Sequence, residues 1–127
     1  MNGFVDERKK KLIVAGCILA VIVAIFVLLL VTAEARIPGV WKCEPMYLQH
    51  YNCSVITTIT FMEDGTYIRT LTSANTGSLL NTFVGFWTMD GFELSTTRIG
   101  SDGVAEYTFN PITGKMKNGD IVYTKLG

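Results

Sequence analysis

Histidine is almost missing from this chain of 127 residues: His50 stands alone. With no second imidazole, no C-x-x-C pair and no D-x-D-x-D-G run, neither a zinc nor a calcium site has a donor set, so no metal is expected. No glycine-rich loop opens a helix to cradle phosphate, and no nucleophile has a candidate base beside it. The sequence therefore gives no reason to expect an enzyme, and none to expect a cofactor. Charge is sparse too, at 17% of residues. From Ile37 onward, six scattered basic residues face eight acidic ones, a balance of −2 that leaves no footprint for nucleic acid.

What the chain does have is one long apolar run. Leu12 to Val31 (LIVAGCILAVIVAIFVLLLV) carries no charge, amide or proline. Twenty residues at ~1.5 Å each give a helix about 30 Å long, the thickness of a bilayer's hydrocarbon core. No face bears a polar stripe, so the segment is expected to span the cytoplasmic membrane, with the lipid bilayer as its first partner. Arg8, Lys9, Lys10 and Lys11 precede the run, whereas only Arg36 and Lys42 follow closely. Basic residues resist translocation, which keeps residues 1–11 in the cytoplasm and sends the C-terminal part outside. Residues 32–38 then read as a linker, ended by Pro38-Gly39, and residues 39–127 as a single extracytoplasmic domain.

Processing offers alternatives. Val31-Thr32-Ala33 and Ala33-Glu34-Ala35 are tolerable signal-cleavage sites, which would release a secreted β-domain, but the apolar run exceeds an ordinary signal core. Val14-Ala15-Gly16-Cys17 has the form of a lipobox, yet most of the apolar run follows the cysteine instead of preceding it. Gly16, Ala20 and Ala24 share one helix face at a spacing that lets two helices approach, a route to a homo-oligomer.

Beyond the run the periodicity is two. Val55 to Met62 places Val55, Thr57, Ile59 and Phe61 on one face, Glu63-Asp64-Gly65 turns it, and Thr66 to Thr72 returns with Tyr67, Arg69 and Leu71 together. After the polar loop at residues 73–78, Leu80 to Met89 aligns Phe83, Gly85, Trp87 and Met89. Phe92 to Arg98, Val104 to Asn110, Lys115 to Lys117 and Ile121 to Lys125 complete seven or eight strands with turns every 8–12 residues. The fold class is a single N-terminal transmembrane helix followed by an all-β antiparallel meander or small barrel. Cys43 and Cys53, nine residues apart outside the cytoplasm, are expected to form a disulfide worth about 3 kcal/mol. Asn52-Cys53-Ser54 has the form of a glycosylation sequon, which that bridge would crowd.

The domain resembles the small lipocalin-like, calycin-type barrels. Gly39-Val40-Trp41 opens the first strand, Phe61 to Tyr67 spans the first hairpin, Gly85-Phe86-Trp87 sits mid-domain, and Val122 to Lys125 lies in the last strand. The resemblance implies that Trp41 plugs one end of the barrel with Lys125 packed over it. The domain is shorter than a full lipocalin and has no C-terminal helix, so its interior is small. Trp41, Tyr67, Phe83, Trp87 and Tyr107 are the candidates for lining a ligand pocket, though a small domain needs such residues for its core. The expected function is a membrane-anchored, non-catalytic barrel that binds a partner or a small apolar ligand. The alternative is a structural envelope or pilin-like filament subunit, against which stands the basic cluster at Arg8 to Lys11.

Overall fold

A computed structural model describes residues 2–126, with side chains from residue 7 onward. It divides into two compact units, Met1–Thr32 and Ala33–Gly127.

The first unit is a helix, α1 (Asn2–Ala33). Its apolar side chains have no protein to cover them: Leu12, Leu19 and Leu28 are each more than 60% exposed. Exposing so many aliphatic side chains to water is unfavourable at ~25 cal/mol per Å², and length and composition suffice for this helix to cross a bilayer.

The second unit is an antiparallel β-barrel. Its strands are β1 (Gly39–Cys43), β2 (Met46–Leu48), β3 (Cys53–Phe61), β4 (Thr66–Ser73), β5 (Leu79–Asp90), β6 (Glu93–Arg98), β7 (Val104–Phe109), β8 (Met116–Asn118) and β9 (Ile121–Leu126). From β3 to β9 each strand pairs with the next, and β1 closes the ring by pairing with both β9 and β3. Eight strands close the barrel, while β2 pairs only with β3. Closure leaves the ring without the unpaired edges that invite aggregation.

The strands β1 and β2 run end to end along β3. Lys42 pairs with Thr58 and Met46 with Val55, so three residues (43–45) on one side face two (56–57) on the other. That is a one-residue bulge, and Pro45, which has no N–H to give a ladder, sits within it. This geometry overturns the expected disulfide. Cys43 lies one step beyond the Lys42–Thr58 pair, whereas Cys53 pairs with Leu48 beyond the bulge. Four residues of β3 separate the two levels, about 13 Å along the strand, while bridged Cα atoms lie within about 7 Å. Both thiols are free, Cys43 buried and Cys53 partly so. The nine-residue gap is a bulged strand and a hairpin turn, not a loop that brings its ends together.

The segment expected as a linker is instead part of the barrel. Ala33 and Ile37 are fully buried in its core, and residues Glu34–Arg36 form a single 3₁₀ turn between them. This plug seals one end. Trp41 donates its indole N–H to the Ile37 carbonyl at 2.8 Å and meets the Phe109 ring edge-on at 6.2 Å. Arg36 lies over the other side of the plug, with its guanidinium 4.9 Å from the Phe109 ring centre and a hydrogen bond to Pro111 O at 2.8 Å. Lys125, the cross-strand neighbour of Trp41, gives its ammonium to Arg36 O at 2.9 Å. Gly39 makes room for that lysine: its φ is +137°, and a Cβ there would come within 2.6 Å of Lys125 Cε.

Candidate functional site

Alternation decides which side chains face inward. At the plugged end the interior is solid: Phe61 packs edge-on against Trp87 with ring centres 5.8 Å apart, and Leu94, Phe109 and Met116 are all but fully buried beside them. Trp87 also donates its indole N–H to Met62 O at 2.9 Å. Further along the barrel, Tyr107 and Tyr123 meet edge-on at 5.7 Å. Burial pushes the Tyr123 phenol well above its ordinary value, with Tyr107 and Cys43 adding to the effect.

The opposite end is not filled. Antiparallel order puts the β6–β7 turn away from the plug, and beneath it lies a solvent-connected cleft of about 300 Å³. Tyr67 and Arg69 of β4, Phe83 of β5, and Thr96 and Arg98 of β6 form its walls, with Ser101, Gly103, Val104 and Ala105 at the rim. Of the five aromatics singled out in the sequence, the structure brings Tyr67 and Phe83 to this cleft. Trp41 and Trp87 belong to the packed end, and Tyr107 to the pair with Tyr123.

Two arginines dominate the cleft. The guanidinium carbons of Arg69 and Arg98 lie 5.1 and 5.0 Å from the centre of the same Phe83 ring. Cation–π attraction holds each of them there, at about 0.5–2 kcal/mol apiece. The Arg69 Nε is buried and has no hydrogen-bond partner, the only such side-chain atom among the described residues. A buried donor left unsatisfied costs about 1–3 kcal/mol. Neither arginine has an ion pair among the described residues, and no carboxylate lines the cleft. Tyr67 completes the wall. Burial, with Tyr107 adding to it, raises its phenol above the ordinary 10.0, an effect that hydrogen bonding with Thr96 and then the two arginines partly offset.

Gly85 is what lets this wall form. It pairs with Tyr67 on one side and Arg98 on the other, and a Cβ there would overlap Thr97 O and sit 2.7 Å from Tyr67 Cε1. The missing side chain gives the tyrosine ring its place.

The arginines and Thr96 are absent from the aromatic set read from the sequence. The signal was present in the alternation, which puts Arg69 on one face with Tyr67 and Leu71, and a charge on an inward face is unusual. The remaining candidates do not join the cleft. Gly16, Ala20 and Ala24 lie on α1, where a Cβ at Gly16 would touch nothing within 4 Å. His50 meets the Tyr51 ring edge-on at 4.8 Å. Asn52 of the sequon adopts φ +51° in the β2–β3 turn, and its side-chain oxygen accepts from Tyr47 OH at 2.6 Å.

Fold and cleft together define an eight-stranded up-and-down barrel, sealed at one end and open at the other, in a chain that begins with an apolar helix of membrane-spanning length. Comparison with protein-family models, curated proteins and solved structures gives no match to this chain.

Proposed function

We propose that the chain is a membrane-tethered, lipocalin-like binding protein that holds its barrel outside the cytoplasm and takes a small ligand into the open end without transforming it. The single observation that carries this reading is the asymmetry of the barrel interior. One end is stoppered by residues 33–37 and packed aromatics, whereas the other keeps a cleft of about 300 Å³, the low end of the range for small-molecule sites. A domain this small has no packing reason to leave such space beside Phe83. The up-and-down strand order, the G-x-W opening at Gly39 to Trp41 and the place of Trp41 at the sealed end beside its cross-strand neighbour Lys125 support the lipocalin-like reading. Four basic residues ahead of the apolar run support an inward N-terminus.

Methyl NMR of the full chain in nanodiscs tests the binding half of this reading, using benzyl alcohol and sodium benzoate as probes. At millimolar probe the methyl signals of Thr96 and Ala105 are expected to shift, and that of Met116 at the sealed end is expected to stay. Shifts at none of these positions, with either probe, would remove the cleft as a binding site.

A further inference from the structure

Two cations on one ring, without a counter-charge, call for a third party. The distances of Arg69 and Arg98 from the Phe83 ring centre, 5.1 and 5.0 Å, limit the separation of their guanidinium carbons. That limit is about one Debye length at 0.1 M salt, so each guanidinium feels the other's charge. Surface arginines can turn away into water, but Arg69 cannot do so fully: its Nε is shut off from solvent and lacks an acceptor. The fold therefore keeps a positive charge facing an open cleft, with a donor unpaired and no carboxylate among the residues that line it.

Resting on the binding function proposed above, we infer that the ligand is a small organic anion, a carboxylate carried on a flat apolar body. The carboxylate is met at the cleft by the guanidiniums of Arg69 and Arg98, each of which presents paired N–H donors that match its two oxygens. The apolar body enters beside Phe83 and the methyl groups of Thr96 and Ala105. Tyr67, whose phenol faces the same cleft, is the further hydrogen-bonding group within it. The cleft has no carboxylate to receive a cation and too many donors for a plain hydrocarbon.

Calorimetric titration of the full chain in nanodiscs with three probes of one shape separates the possibilities: benzoate, neutral benzamide and cationic benzamidine. Benzoate is expected to bind at least tenfold more tightly than benzamide, and benzamidine to bind most weakly. Arg98→Gln, at an exposed position, is expected to weaken benzoate tenfold or more while leaving benzamide unchanged, and Arg69→Gln to do the same. In arginine-selective NMR, the Arg69 Nε–H signal should move with benzoate and not with benzamidine. Equal affinities for benzoate and benzamide, or a benzoate affinity that ignores both arginine variants, would overturn the anion assignment and leave the cleft a binding site. Absence of heat and shift with all three probes would overturn the binding function and the assignment together.

Discussion

A buried indole and a half-buried arginine make opposite contributions in this barrel. Trp41 fills the sealed end and satisfies the Ile37 carbonyl at 2.8 Å. Trp41→Phe removes volume and leaves that carbonyl buried without a partner, so it is expected to destabilise the barrel by about 2–4 kcal/mol in urea unfolding. Arg69 satisfies no partner through Nε, so replacing it removes an unpaired buried donor. Arg69→Met is expected to leave stability within about 1 kcal/mol of the parent, while abolishing the preference for anions. A large loss of stability in Arg69→Met would mark that side chain as structural. The aromatic members of the site were legible in the sequence because apolar alternation marks the interior. The arginines were not, because charge is ordinarily read as solvated, and only their place on an inward face contradicts that reading.

Tyrosine ionisation links this interior to pH. Burial holds Tyr123 and Tyr67 neutral by raising their phenols above the ordinary 10.0. A raised value means that the folded state keeps the proton longer than the unfolded chain does. The corresponding stability is therefore complete below about pH 10 and is lost as pH climbs beyond it. Urea midpoints measured from pH 8 to pH 11.5 are expected to hold steady and then fall. Tyr123→Phe is expected to flatten that fall, and an equally steep decline in the variant would point to other groups.

Among the elements, the hairpins were the most readable. Asp64-Gly65 and Asp90-Gly91 turn strands whose inward residues, such as Val55, Ile59 and Phe61, are those that alternation selects. Less readable was the stretch from Ala33 to Cys53. The plug is one 3₁₀ turn, too short to show a period, and β2 is three residues long with a proline ahead of it. Misreading the bulged β1–β2 strand as a loop is what made a disulfide plausible. The free thiols lead to a direct check: denatured but unreduced protein is expected to titrate three thiols, and reductant is expected to leave the unfolding midpoint unchanged. A count of one would restore the bridge. In β5, Gly85→Ala is expected to cost about 2–4 kcal/mol, since a methyl there must displace the Tyr67 ring or part the Thr97 backbone. Unchanged stability in that variant would show that the β4–β6 wall can give way.

For the whole molecule, the proposed membrane span would set which solutes the barrel meets. Uncovered side chains along α1 and the cations ahead of Leu12 favour a span with the N-terminus inside. A cleft on the outer side would sample anions before they enter the cell, and binding without chemistry suits a tethered receptor. The measurement that bears most directly on this account is labelling of introduced cysteines by a membrane-impermeant maleimide, in a background carrying Cys17→Ser, Cys43→Ala and Cys53→Ser. Asn75→Cys, in the exposed β4–β5 loop, is expected to label in intact cells, and Lys9→Cys only after lysis. Labelling of Lys9→Cys in intact cells, with Asn75→Cys protected until lysis, would put the barrel in the cytoplasm and contradict the account.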